Sequence, residues 1–357
     1  MYKLVILLSA FIGIECFRLK RDTEQHHPVK HWGYRNQDRS LIPDSWHKSH
    51  PKCYGEQQSP INVELAATVY GKELAPLKIK EESINGTEHE TWQVKNNGHS
   101  VVMSVKDRNF FFKTRPEGME YKFLQMHFHW RGSEHYVDGH RFAGELHLVH
   151  QSVTDESKFA VIGFLLRQTN HDNENLKPLV NILTNIVEYG ATANISDFSL
   201  GNLIPFNLKN YYRYSGSLTT PGCDEVVEWH LMDNPLLDIS DEQILDFQSI
   251  QDKNGFLIIT NSRPIQELND RVVKRSFEAH NLGTKRKYLK SASGLTDSSD
   301  EKSDLVKRLN IFVASCEASN VVQPEQELVE VPIQTESESD LYKSHNKKSQ
   351  KVQVMTL

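Results

Sequence analysis

The sequence has no apolar run long enough to cross a bilayer. Its N-terminal apolar stretch, residues 4–14, falls short of the roughly 20 residues a spanning helix needs. No hydrophobic tail follows at the other end, so neither a membrane span nor a GPI anchor is expected. A strong excess of one charge is also missing. The 41 basic and 47 acidic residues leave a formal charge of −6, which carries no nucleic-acid footprint. Cysteine is scarce, with four in 357 residues and none between positions 123 and 149, where histidines gather. A structural zinc site closed by cysteines is therefore excluded from that stretch. What is left, with 38% hydrophobic residues, is ordinary for a soluble globular protein and enough for one large domain plus extensions.

The two ends read differently from the middle. Lys3 followed by the apolar run reads as a secretory signal peptide over residues 1–16, with cleavage after Cys16, and implies a secreted, extracellular protein. Residues 17–30 form a polar lead-in. Within it Arg18-Leu19-Lys20-Arg21 has the pattern of a furin-type processing site, which would make the lead-in a short pro-segment. His26, His27 and His31 read as part of a soluble tail rather than as metal binders. After Lys290, Ser, Glu, Lys, Gln and Asp dominate to Leu357, so residues 279–357 are expected to be a polar, acidic, Ser-rich and disordered tail. Ser298-Ser299-Asp300-Glu301 and residues 336–340 suit contact with calcium or a mineral surface, against the plainer reading as a solvated appendage. Asn85-Gly86-Thr87 and Asn194-Ile195-Ser196 are sequons that make Asn85 and Asn194 candidate N-glycosylation sites.

Strand patterns dominate the middle, at 92–95, 100–105, 121–130, 145–150, 159–166, 226–231 and 256–260. Two helices are predicted. Residues 175–189 carry Leu176, Leu179, Val180, Leu183, Ile186 and Val187 at helical spacing and stop at Gly190. Residues 240–253 open on a Ser240/Gln243 capping box and close at Asn254-Gly255.

The chemistry concentrates in residues 123–149. Side chains alternate faces along a strand, so Gln125, His127 and His129 share one face while Leu124, Met126, Phe128 and Trp130 share the other. The same rule puts Glu145, His147 and Val149 together, with Leu146 and Leu148 behind them. Antiparallel pairing of these two strands would converge three imidazoles. Three neutral nitrogen ligands suit a catalytic zinc, because the fourth tetrahedral position stays open. Gln125 and Glu145 each precede a candidate ligand by two residues, where an acceptor can hold the far N–H of an imidazole. An H-x-H pair alone is weak evidence, but a third histidine, two polar partners and an apolar backing layer agree on a metal.

HFHW, GSEH and ELHLVH resemble the zinc-binding core of the alpha-class carbonic anhydrases. The resemblance runs from about His31 to Phe277 through HWGY, QSPIN, NNGHS, SLTTPGC, EWH and NSRP, in the family's order. It implies a mainly β (α+β) domain over residues 31–278: a single large, twisted, mostly antiparallel sheet with peripheral helices. It implies Zn2+ on His127, His129 and His147, and reversible hydration of CO2 to bicarbonate and a proton by attack of a zinc-bound hydroxide. By the same resemblance Thr219 takes a hydrogen bond from that hydroxide and points its own hydroxyl at Glu134, while its backbone N–H meets a substrate oxygen. Val149, Val161, Leu218, Thr219, Thr220, Val227 and Trp229 match the substrate pocket. His99 matches the proton shuttle, Tyr34 and Asn97 order water towards it, the backbone of Asn261 supports His129, and Arg263 takes a structural salt-bridge position. Cys53 and Cys223 match a disulfide of extracellular members, which leaves Cys16 to the signal peptide and Cys316 free or linking two chains.

The chain departs from the family at two places. Between His129 and Glu134 it is several residues shorter, which puts the placement of Glu134 and the rate in question. Val102 stands where many fast members carry a polar residue. Two other function classes remain: a catalytically silent carbonic-anhydrase-like binding protein, and an extracellular matrix or mineralisation component working through the tail.

Overall fold

The computed structural model describes residues 31–34, 41–79, 91–105, 111–113, 119–204, 208–233 and 236–278. The expected signal peptide and lead-in (1–30), the Asn85 sequon, Cys316 and the tail over 279–357 lie outside the described residues. In chain order the strands are β1 (Asn62–Val63), β2 (Val69–Tyr70), β3 (Lys78–Ile79), β4 (Trp92–Asn96), β5 (Val101–Val105), β6 (Phe111–Lys113), β7 (Glu120–Trp130) and β8 (Tyr136–Val137). They continue as β9 (His140–Arg141), β10 (Gly144–Ser152), β11 (Phe159–Thr169), β12 (Thr192–Ile195), β13 (Tyr211–Gly216), β14 (Val227–Met232), β15 (Leu237–Ser240) and β16 (Lys274–Arg275). Three short α-helices, α1 (Lys177–Ile182), α2 (Leu200–Leu203) and α3 (Asp241–Phe247), lie among them.

Thirteen of these strands form one sheet in the order β12-β4-β5-β7-β10-β11-β14-β13-β16-β2, with β15 on β11 and β3 paired through β6 to β7. Most neighbours are antiparallel, as expected; β11 runs parallel to β14 and β15, and β16 to β2. A small sheet, β1-β8-β9, stands apart from it. One face of the large sheet packs Met126, Phe128, Trp130, Leu146 and Leu148 against Leu179 of α1 and Ile244 and Phe247 of α3. The other face carries a second cluster that includes Val149, Val161, Tyr214, Val227 and Trp229. The alternation read from the sequence thus sorts apolar residues between two cores, and the histidines fall on the second side.

The structure corrects four local expectations. Leu124 is 38% exposed rather than core-facing. The β7–β10 register steps from Val149↔Gln125 to His150↔Phe123, so Leu124 is an extra residue in a bulge, and Phe123 takes its place in the core. The first helix is shorter than 175–189: a 3-10 turn Glu174–Leu176 leads into α1, and a second, Leu183–Asn185, ends it. Beyond it the carbonyl of Val187 is taken by the Gln251 N–H and by Asn96 Nδ2, so the backbone bonds to its neighbours instead of to itself. The second helix keeps both halves of its Ser240/Gln243 box but ends at Phe247. Residues 256–260 form no strand; Trp130 Nε1 donates to the Ile258 carbonyl and Gln248 Nε2 to that of Ile259, and only an isolated bridge joins Leu257 to Gln251.

Candidate metal centre

Strands β7 and β10 pair antiparallel with His147 opposite His127 and Glu145 opposite His129, as the spacing predicts. The three rings turn to one point. His147 Nδ1 lies 3.1 Å from His129 Nε2 and 3.3 Å from His127 Nε2. The far nitrogens are all engaged: His127 Nδ1 with Gln125 Oε1 (3.0 Å), His129 Nδ1 with the Asn261 carbonyl (2.8 Å) and His147 Nε2 with Glu145 Oε1 (2.9 Å). A carbonyl and a carboxylate only accept, so the far nitrogens of His129 and His147 carry the protons and the inner ones carry lone pairs; the amide oxygen of Gln125 asks the same of His127.

Three lone pairs converging in a buried site repel unless a cation takes them. Burial, and then the neighbouring histidines, push His127 well below the usual imidazole range; burial lowers His129 despite the nearby Glu134. Neutral rings are the form a metal needs. Tetrahedral zinc with bonds of about 2.0–2.1 Å would put ligand nitrogens about 3.3 Å apart, close to the spacings here. The donor set fits zinc.

Glu145 does more than the sequence suggested. Its Oε2 accepts from the backbone N–H groups of Glu134 and His135, and its Oε1 meets His135 Nδ1 at 2.8 Å as well as His147. Burial alone would raise this carboxyl, but His135 and His147 outweigh it and hold it well below the usual range. Gly163 faces His147 across β10–β11, and a Cβ there would come within 2.9 Å of Glu145 Oε1. His135 was not foreseen. It continues the chain of polar groups through Tyr214 Oη (2.6 Å) to Ser59 Oγ (2.8 Å), which accepts from the Ser217 N–H. Its only signal was its place in GSEH.

The short connection after His129 turns on Arg131 (φ 56°) and Gly132 (φ 138°), and hydrogen bonds from Gly132 and Ser133 to Ala143 and Phe142 close it. Glu134 still reaches the centre, fully buried, with Oε2 3.4 Å from His129 Nε2. Its Oε1 accepts from the Arg263 N–H (2.8 Å), whereas Oε2 makes no hydrogen bond. The expected bond from the Thr219 hydroxyl to Glu134 is therefore not made among the described residues. Arg263 is corrected too: its guanidinium donates to Gln58 Oε1 and to the carbonyls of Ser59 and Cys53 rather than to a carboxylate.

A cavity of about 170 Å3 opens above the histidines. Val149, Val161, Leu218 and Trp229 form its apolar wall, and Tyr34, Asn97, His99, Thr219 and Thr220 line it with polar groups. Trp32, Ser100 and Val102 line it as well. Val227 does not: it is buried in the apolar cluster that also holds Trp229. Asn97 Oδ1 is occupied by the N–H groups of His99 and Ser100, so it shapes the turn that presents His99. His99 stacks on Trp32 with ring centres 3.5 Å apart, and burial, with help from His31 and Lys253, pushes its pKa down to about 4. Burial pushes the Tyr34 phenol well up, so it stays protonated. Cys53 and Cys223 are bonded, and the Cys223 N–H holds the Thr220 carbonyl. Asn194 stands exposed on β12.

A family model described as eukaryotic-type carbonic anhydrase matches residues 41–277. Carbonic anhydrase 4 of Rattus norvegicus is 35% identical over 277 residues, covering 71% of this chain and 86% of the rat protein. Carbonic anhydrase 15 of Mus musculus is 34% identical over 274 residues, 70% of this chain and 84% of its own. Carbonic anhydrase 7 of Homo sapiens is 35% identical over 269 residues, 70% and 98%. With a histidine centre fitted to a metal and a family match over most of its length, the chain belongs to the eukaryotic-type carbonic anhydrase family of enzymes.

Proposed function

We propose that the chain is a secreted zinc enzyme that hydrates carbon dioxide reversibly, CO2 + H2O ⇌ HCO3− + H+. The observation that carries this reading is the set of three inward lone pairs on His127, His129 and His147 beneath a cavity with one apolar wall. Bound there, zinc would acidify a water and so supply a nucleophile near neutral pH, chemistry for which carbonic anhydrases are the standard example.

The chain's own residues do the rest. Gln125, Asn261 and Glu145 fix the ring orientations, so the ligands need no rearrangement. Val149, Val161, Leu218 and Trp229 offer the substrate no hydrogen bond, since the Trp229 indole N–H is committed to the Ser217 carbonyl. That half of the cavity favours a small uncharged molecule over water. The backbone N–H of Thr219 makes no hydrogen bond among the described residues and is assigned to a substrate oxygen, while Glu134 Oε2 is the acceptor assigned to the Thr219 hydroxyl. The released proton leaves along the polar side past Tyr34, Asn97 and Ser100 to His99. Burial pushes the His99 pKa down to about 4, which makes it a weak proton acceptor at neutral pH.

Secretion is supported by the bonded Cys53 and Cys223, since such bonds persist in oxidising compartments, and by the signal-like residues 1–16. The proposed division is a signal peptide over 1–16, a lead-in over 17–30, a catalytic domain over 31–278 and an appended tail over 279–357. Calcium or mineral contact by that tail and a bond from Cys316 to a second chain lie outside the described residues. A silent relative would be expected to have lost a ligand histidine, and all three are retained.

The test is stopped-flow CO2 hydration on the purified chain, with zinc measured on the same sample. Hydration that tracks zinc and disappears in His127→Ala supports the reading. Stoichiometric zinc without hydration would leave a binding protein.

A further inference from the structure

We propose that Asn194 carries an N-linked oligosaccharide that covers the terminal strand of the large sheet; the proposal rests on the secreted reading above. The edge is β12. It is the terminal strand of the sheet and, among the described residues, pairs only with β4, in the register Asn194↔Gln93. A terminal strand presents unpaired backbone groups to any passing strand, and proteins blunt such edges with charge, proline, a bulge, very short length or a neighbouring helix or loop; α1 lies beside β12. The opposite edge uses length, since β2 has only two residues. Strand β12 has four, Thr192-Ala193-Asn194-Ile195, with no charge and no proline, and its register with β4 is unbroken. Its outward-facing side carries a sequon.

The geometry suits modification. Alternation turns Ile195 into the core (7% exposed) and Asn194 outward. Asn194 and Ser196 are both exposed, and among the described residues neither side chain makes a hydrogen bond. The acceptor amide and the hydroxyl two residues on are thus open to a transferase. In the transfer, Asn194 Nδ2 forms a bond to the anomeric carbon of a lipid-linked oligosaccharide diphosphate. The bond from that carbon to the diphosphate oxygen breaks, the lipid diphosphate departs with the electron pair, and Nδ2 gives up one proton. No oxidant or reductant is needed. The product places a bulky hydrophilic group on the outer face of a strand whose residues are otherwise uncharged.

The experiment uses the full chain secreted from a eukaryotic cell line. Enzymatic deglycosylation in 18O-water converts each glycosylated Asn to labelled Asp, which peptide mass spectrometry locates. The expected result is label at Asn194 that is lost in Asn194→Gln and in Ser196→Ala and kept in Ser196→Thr. Both glycan-free variants should hydrate CO2 as the parent does, yet self-associate in sedimentation at several-fold lower concentration. An unlabelled Asn194 in a chain with the Cys53–Cys223 bond formed would overturn the proposal directly. Label at Asn194 with unchanged self-association in both variants would overturn the covering role. No label at Asn85 or Asn194, with Cys53 and Cys223 reduced, would overturn it through its premise, the secretory route.

Discussion

At the scale of single residues, each ligand imidazole is defined by what its far nitrogen touches. Gln125 is the one neutral side-chain partner, so Gln125→Ala tests that support without removing a charge. It should weaken zinc binding by about 10- to 100-fold, the range typical for such partners, those of carbonic anhydrases included, as read by competition with a chelator. Glu145 is different because four donors end on its carboxylate. Glu145→Ala should cost about 3–5 kcal/mol in urea unfolding, since it strands buried donors as well as a ligand. His99→Ala should slow CO2 hydration by less than the roughly 100-fold at the low end for a positioned acid–base group, because burial already makes His99 a poor proton acceptor. Gln125 and Glu145 were legible because period-two alternation places a residue two before its ligand on the same face. The burial of His99 against Trp32 was not, because it depends on a contact between segments 67 positions apart in the sequence. His135 escaped for the same reason: its partner Tyr214 lies on β13, a strand the sequence reading did not mark.

At the scale of elements, register decides which residues meet. Pairing of β7 with β10 was legible because both strands carry an apolar layer and a polar layer in phase. The bulge at Leu124 was not, since one extra residue leaves no trace in the alternation until the partner strand is known. The helix starts were easier than the ends. Ser240 and Gln243 bond reciprocally, a local pattern, and Ser240→Ala should cost about 0.5–2 kcal/mol by urea unfolding. The shortened turn after Trp130 works because Gly132 takes φ 138°, a conformation other residues avoid. Gly132→Ala should therefore cost about 1–3 kcal/mol of stability by urea unfolding and move Glu134, reducing CO2 hydration more than a surface substitution would.

At the scale of the whole molecule, a long-range tie and a set of buried ionisable groups set the conditions under which the centre survives. The Cys53–Cys223 bond closes a loop with a sequence separation of 170 residues, and its loss in a double serine variant should cost about 2–5 kcal/mol. On the sheet face away from the cavity, burial would raise Glu228, but His230 and Arg213 outweigh it and bring its pKa down to about 2. That contribution is present above the ordinary carboxylate value of 4.5 and is lost as pH falls through about 2. Burial also lowers His150 to about 3, so the fold favours its neutral ring; stability is intact above pH 6.5 and declines as pH falls from there towards 3. Both effects have the same sign. The urea midpoint should be flat above pH 6.5 and fall steadily below it, and a midpoint that rises on acidification would contradict this assignment. The central claim, that three imidazole nitrogens hold zinc and leave one position open, is tested most directly by zinc-edge X-ray absorption on the full chain loaded with one metal. The account predicts three nitrogen neighbours and one exchangeable oxygen at about 2.0–2.1 Å, lost in His127→Ala. A spectrum with sulfur neighbours, or one unchanged by His127→Ala, would contradict it.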